Sequence, residues 1–282
     1  MTDKVVLITG TSSGIGLEAA VGAACAGWHV VATMRDTGKS DLLTKAAQEA
    51  GVAESVEVRQ MDVTDAASVA RCIDETIAAH GALHALVNNA GAGHVGTLEI
   101  DGVDAARRVM EVNFYGALNA THAALPHLRA SRGRVVAVTS VGGVVGQPFN
   151  EAYCAAKFAV EGFFEALAPV AATLSVNVTI VEPGAVASEF VSNVGLSEDR
   201  AGLLDRMGPY APALQNYLAR TAGAFANAQS PADAAAVIVA ALTADRPPFR
   251  VQTSEGATAF VSPKLADLDG SKVLGMTSTW AG

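Results

Sequence analysis

Cysteine is scarce. Only Cys25, Cys72 and Cys154 occur in 282 residues, widely spaced and odd in number, which excludes a disulfide framework and a CxxC metal site. Positive charge is also short. The chain has 19 Lys plus Arg against 28 Asp plus Glu, a formal charge of −9 with no block of five like charges, so a basic nucleic-acid surface is not expected. No uninterrupted apolar stretch reaches the roughly 18 residues of a membrane span. The opening MTDKVVLITG carries no basic, apolar leader pattern, and with unpaired cysteines it leads to an expected cytoplasmic location. Disorder is excluded as a global description, because half the residues are apolar and 17% are charged.

What is present alternates. Short β-branched runs fall near 4–9, 28–34, 55–60, 83–88, 134–139, 176–181 and 248–252, with helix-compatible stretches near 14–26, 40–50, 66–80, 102–130, 151–168 and 231–244. Runs such as Val5-Val6-Leu7-Ile8 lack polar alternation, as strands covered on both faces do. The pattern predicts an α/β fold, a Rossmann-type doubly wound parallel sheet of about seven strands with helices on both faces. Pro169 is expected to stop one helix and Pro231 to start another. One domain spans 1–282, since no repeat or linker interrupts it. The stretch 186–230 is too long for a simple connection and is expected to form a lid containing a short amphipathic helix, with Tyr210, Leu214, Leu218 and Phe225 at near-helical spacing. A C-terminal extension, 252–282, has mixed periodicity and no readable structure.

The first strand runs into Thr9-Gly10-Thr11-Ser12-Ser13-Gly14-Ile15-Gly16 and then a helix. Glycines there allow backbone N–H groups and the helix N-terminus to approach a pyrophosphate. The end of the second strand reads Met34-Arg35-Asp36. An acidic side chain at that point accepts from the adenosine ribose, whereas an Arg pairs with a 2′-phosphate. Arg35 favours NADP(H) over NAD(H), with Asp36 as the competing signal and Ser12 as a further phosphate donor.

Tyr153-Cys154-Ala155-Ala156-Lys157 places a phenol and an ammonium one helical turn apart. At about 4 Å and an effective dielectric of about 20 the pair is worth about 4 kcal/mol, enough to pull the phenol down by roughly three pKa units before desolvation. Alone, YxxxK is a common surface-helix pattern. Here it joins the glycine turn, Asn88-Asn89-Ala90-Gly91 after the fourth strand, Asn113, and Ser140 after the fifth, all at or beside strand C-terminal ends.

Together these residues resemble the short-chain dehydrogenase/reductase family, through Thr9 to Gly16, Asp62-Val63, Asn88 to Gly91, Asn113, Ser140, Tyr153 to Lys157, and Pro183-Gly184 with Ser188 where Thr is usual. The resemblance spans about 4–252. Ser140-Val141-Gly142-Gly143, Pro148-Phe149-Asn150, Tyr153 to Ala159 and Thr33 to Asp36 are especially similar to the branch of 17β-hydroxysteroid dehydrogenase type 1 and photoreceptor retinol dehydrogenase.

The resemblance implies an oxidoreductase interconverting an alcohol and a ketone or aldehyde. Tyr153 would be its acid/base; Lys157 would lower the Tyr153 pKa and hold the nicotinamide ribose. Ser140 would position the substrate oxygen and Asn113 would help hold a relay water. The cofactor would lie along Gly10, Ser12, Ser13, Gly14, Ile15, Gly16, Arg35, Asp62, Val63, Asn89, Ala90, Gly91, Tyr153, Lys157, Pro183, Gly184, Val186 and Ser188. No metal is expected. Apolar residues of the insertion, among them Phe190, Leu203, Met207, Leu214, Tyr217 and Phe225, suggest a lipophilic substrate such as a steroid, retinoid or fatty carbonyl compound. Competing readings are a nucleotide-binding redox sensor and a ketoacyl-carrier reductase. A homo-oligomer, dimer or tetramer, is implied by the family. Cys154 lacks a His or Asp spaced to activate it as a nucleophile, and His94 is expected to be a loop histidine.

Overall fold

The computed structural model describes residues 4–188, 200–225 and 228–271. Its strands are β1 (Lys4–Thr9), β2 (Trp28–Met34), β3 (Val56–Gln60), β4 (Ala85–Asn88), β5 (Arg134–Val138), β6 (Asn177–Glu182) and β7 (Arg250–Gln252). All pair in parallel in the order β3-β2-β1-β4-β5-β6-β7. Side chains alternate across such strands, and in the central β1 both sets are mostly apolar. Val5 and Leu7 join one core cluster, Val6 and Ile8 the other.

The first cluster is covered by α3 (Ala66–His80), α5 (Gly116–Ser131) and α6 (Glu151–Ala172). The second is covered by α1 (Gly14–Cys25), α2 (Asp41–Glu49) and α9 (Pro231–Thr243). Strand order reverses between β1 and β4, which opens a crevice at the carboxyl ends of the strands.

The helices differ from expectation in three places. The stretch expected as one helix over 102–130 turns helical at Leu98 as α4 (Leu98–Met110), breaks at Gly102 with φ 69°, and passes through a π turn at Glu111–Tyr115 before α5. Pro169 does not end α6, which continues to Ala172. The missing N–H costs one bond in the last turn, while burial of Ala168 and Ala171 in the core holds that turn in place. Among its described residues the insertion holds two helices where a single short one was expected, α7 (Arg200–Met207) and α8 (Ala211–Phe225). Pro231 does begin α9, behind the Ser230 cap.

Leu203, Met207, Leu214 and Leu218 of α7 and α8 bury against Val95 and Phe149, forming a satellite core over the crevice. The insertion returns beside its own exit, where Ala187 and Gln229 exchange backbone hydrogen bonds with the facing chain. Beyond β7 the tail adds a short α10 (Glu255–Val261), capped by Ser254. Phe190 and residues 272–282 lie outside the described residues. Among the described residues no helix is long and apolar enough to cross a membrane.

Candidate active site

The turn after β1 is held by backbone and side chains together: the N–H groups of Gly10 and Thr11 both donate to the Thr33 carbonyl, at 2.9 and 3.1 Å. Thr9 Oγ1 accepts from the N–H groups of Asn89 and Ala90 at 2.9 and 2.8 Å, and Asn89 Nδ2 donates to the carbonyls of Thr9 and Gly10, both at 2.9 Å. A Cβ on Gly16 would stand 2.1 Å from the Gly10 oxygen and 2.3 Å from Asn89 Nδ2, so only glycine closes this turn. Ser13 takes the N-cap position of α1 without a side-chain cap bond, and the first turn carries no acidic residue. The helix end therefore offers open donors and a partial positive charge to an anion. Gly16→Ala is expected to weaken dinucleotide binding at least about tenfold by forcing Asn89 and the turn apart; fluorescence titration reads it.

A cavity of about 1070 Å³ runs from this turn along the carboxyl ends of the strands. Every cofactor residue anticipated from the sequence lines it: the turn from Gly10 and Ser12 to Gly16, Arg35, Asp62 and Val63, Asn89 to Gly91, Tyr153, Lys157, Pro183, Gly184, Val186 and Ser188. Arg35 is exposed at the end of β2, whereas the Asp36 carboxylate turns away to accept the N–H of Gly38 at 3.0 Å. One oxygen of Asp62 is engaged by the N–H and hydroxyl of Thr64, at 2.9 and 2.8 Å. The cradle thus fits a dinucleotide, with open N–H donors where a pyrophosphate would rest and a guanidinium where the adenosine ribose would end.

Ser140, Tyr153 and Lys157 meet on the floor of the same cavity. Tyr153 and Ser140 are joined by a side-chain hydrogen bond, and Ser140 Oγ also accepts the N–H of Gly142 at 3.0 Å. Lys157 Nζ lies 5.8 Å from the centre of the Tyr153 ring and donates to the Val138 carbonyl at 3.1 Å. Burial pushes the Tyr153 phenol up to about 12, partly opposed by the Ser140 bond, and pushes the Lys157 ammonium down to about 8, partly opposed by Glu161. The phenol is therefore raised rather than lowered in this structure, with burial as the largest cause and the Ser140 bond opposing it. At neutral pH the phenol holds its proton and the lysine remains largely charged.

Asn113 sits in the π turn, 2% exposed, and does not line the cavity. Its Nδ2 donates to the carbonyls of Ala92 and Val109 at 2.8 and 3.0 Å, and its Oδ1 accepts the Ala92 N–H at 3.2 Å. Both Nδ2 hydrogens are thus spent on bracing the loop after β4, so a relay water at this residue would bond to one of its oxygens. Asn88 stabilises the sheet by donating to Thr121 Oγ1 at 2.8 Å. Cys154 is buried, its thiol pushed up by that burial, and is no nucleophile at neutral pH. His94 turns to Asp101, 3.5 Å away, and is absent from the cavity wall.

Several wall residues escaped the sequence reading. Gln147 and Asn150 reach the cavity from the segment before Tyr153, and Thr221 from α8, beside Tyr217 and Phe225, which the apolar pattern of the insertion had supplied. The tail contributes Ser254 to Ala257 and Phe260. A Ser followed by Ala257, Phe260 and Val261 at helical spacing was the signal for α10.

The short chain dehydrogenase family model matches residues 4–199. The chain is 40% identical to retinol dehydrogenase 8 of Bos taurus over 277 residues, 95% of this chain and 87% of that protein. It is 38% identical to human 17-beta-hydroxysteroid dehydrogenase type 1 over 278 residues, 96% of this chain and 84% of that protein. A short-chain dehydrogenase from Streptomyces avermitilis superposes with a TM-score of 0.75 at 30% identity, covering 99% of this chain and 96% of that one. The matched model, the parallel sheet and a cradle built for a dinucleotide agree: the chain belongs to the short-chain dehydrogenase family of nicotinamide-dependent oxidoreductases.

Proposed function

We propose that the protein interconverts a lipophilic alcohol and its ketone or aldehyde with NADP(H), using Tyr153 as acid/base. The observation that carries this reading is the meeting of Ser140, Tyr153 and Lys157 in the cavity that begins at the open N-terminus of α1. The bound cofactor supplies or accepts the hydride. The chain's own task is to position and to move a proton. Ser140 and Tyr153 hold the substrate oxygen; in the reductive direction Tyr153 gives its proton to that oxygen as negative charge develops there. Lys157 holds positive charge beneath the phenol and stabilises the phenolate left behind.

NADP(H) is favoured because Arg35 stands exposed at the cavity mouth while Asp36 is committed to a backbone N–H. Arg35→Asp is expected to weaken NADPH binding about ten- to hundredfold and to leave NADH binding equal or tighter, the loss of one or two charge-assisted bonds. Tighter binding of NADH than NADPH by the native protein would overturn the assignment.

A lipophilic substrate is supported by the roof. Val95, Tyr217 and Phe225 face the cavity beside Phe260, and α8 is anchored to the start of α6 by Asn150 Nδ2 donating to the Tyr217 hydroxyl at 2.5 Å. Phe149, held at φ 59°, packs at a tilt against Tyr217 with ring centres 5.7 Å apart. Substrate burial beneath these rings gains about 25 cal/mol per Å² of apolar surface. A panel of steroid, retinoid and short-chain carbonyl compounds with NADPH tests this. Turnover is expected with the large apolar compounds, and activity confined to small polar ketones would sink the proposal.

A further inference from the structure

A second constellation lies at the other end of the sheet. His29 is the second residue of β2 and Glu57 the second of β3. The register pairs Val31 with Glu57, so His29, Val31 and Glu57 share the face covered by α3. His80 is the last residue of α3, which Gly81 ends with φ 76°. Strand rise puts this point about 16 Å from Met34 and the cavity.

His80 Nε2 stands 2.9 Å and His29 Nε2 3.7 Å from the same Glu57 oxygen, Oε2. All three ligand atoms lie within 4.8 Å of one another, and the two imidazole rings, inclined at 43°, have centres 4.3 Å apart. Ligands about 2.1 Å from a tetrahedral zinc ion stand about 3.4 Å apart, so these spacings bracket the required one. The other Glu57 oxygen is fixed by Arg59 at 2.6 Å, and Arg59 is shared with Glu75 at 2.9 Å. The carboxylate is thus aimed at the histidines, and the guanidinium charge is offset. His29 Nε2 is buried and has no hydrogen-bond partner. A buried nitrogen without a partner is costly, and a metal ion would satisfy it.

We propose that His29, Glu57 and His80 bind one divalent cation of the zinc class, its remaining position taken by water, clamping the edge strand β3 to β2 and to the end of α3. Two imidazoles and one carboxylate suit zinc, and do not suit magnesium or calcium. The side chains are 20–33% exposed, so an ion can enter from solvent. The site is remote from the cavity, and its role is structural rather than catalytic.

The test uses the untagged full-length chain, stripped with a chelator and titrated with zinc or magnesium. One zinc per chain is expected, at micromolar affinity, with Tm raised about 5 °C at a hundredfold excess over Kd and no response to magnesium. His29→Asn and His80→Asn should each weaken zinc at least about tenfold, whereas His127→Asn should not. Zinc that binds only above about 1 mM, or with an affinity indifferent to both variants, overturns the proposal. Should a variant fail to fold, cobalt on the native protein decides. Strong four-coordinate visible bands support the site, and weak octahedral absorption refutes it.

Discussion

Tyr153→Phe is expected to lower kcat/KM for carbonyl reduction by about 10²–10⁴-fold while leaving the NADPH dissociation constant within about twofold. The variant removes one hydroxyl from the cavity floor and keeps the ring beside Lys157, so cofactor positioning survives and proton donation does not. The wild-type pH profile should carry the signature of the two burial effects. With the phenol pushed to about 12, the donor keeps its proton throughout the working range; with the ammonium pushed to about 8, the charge beneath it is present below that pH and lost above it. Reduction should therefore be level through neutrality and fall above about pH 8. Retention of a tenth or more of the activity by Tyr153→Phe would remove the phenol from the mechanism.

Arg250→Met should produce the largest loss of stability among single substitutions in the core. Arg250, with a side chain 5% exposed, lies 3.3 Å from Glu161, 2.8 Å from Glu165 and 2.8 Å from Glu182. Glu182 is fully buried and also accepts from Gln252 at 2.9 Å, and Glu161 accepts from Thr139 at 2.5 Å. Removing the guanidinium leaves the buried acidic groups of Glu161 and Glu182 without their cation. The cost is about 3–5 kcal/mol, or roughly 10 °C in Tm.

The deficit should depend on pH in a defined sense. Burial and the neighbouring Glu182 raise Glu161 in the folded state to about 8, above its unfolded value of 4.5, so the folded chain holds the extra proton between those values. Its contribution to stability is present at low pH and lost as pH rises toward 8. Without Arg250 that window extends further upward. The Tm difference between variant and wild type should therefore be larger at pH 8 than at pH 5.5, as differential scanning calorimetry would read. A change under about 3 °C at pH 8 would show that the charges are not mutually dependent.

Much of the fold was legible because its signals are local. The unalternated Val5 to Ile8 run announced a strand covered on both faces, and the glycines after Thr9 announced a turn entering a helix. The cofactor path was legible for the same reason, since its residues other than Tyr153 and Lys157 fall soon after a strand, and in a parallel sheet those ends share one edge. Pro169 misled because a proline marks a helix end only when tertiary burial does not hold the turn. The π turn at Asn113 misled because its extra residue leaves no mark in hydrophobic spacing.

By itself, the order of apolar runs, turn glycines and the Tyr153–Lys157 spacing determined the doubly wound sheet, its reactive edge and the residues gathered there, because these depend on contacts within a few residues of chain. The tertiary structure alone decided the charge states of Tyr153 and Lys157, the turning of Asp36 from the cavity, the bracing use of Asn113, the roof made by α8 with α10, and the meeting of His29, Glu57 and His80. Each of these rests on desolvation or on partners brought together from distant segments, and neither is encoded in local sequence spacing.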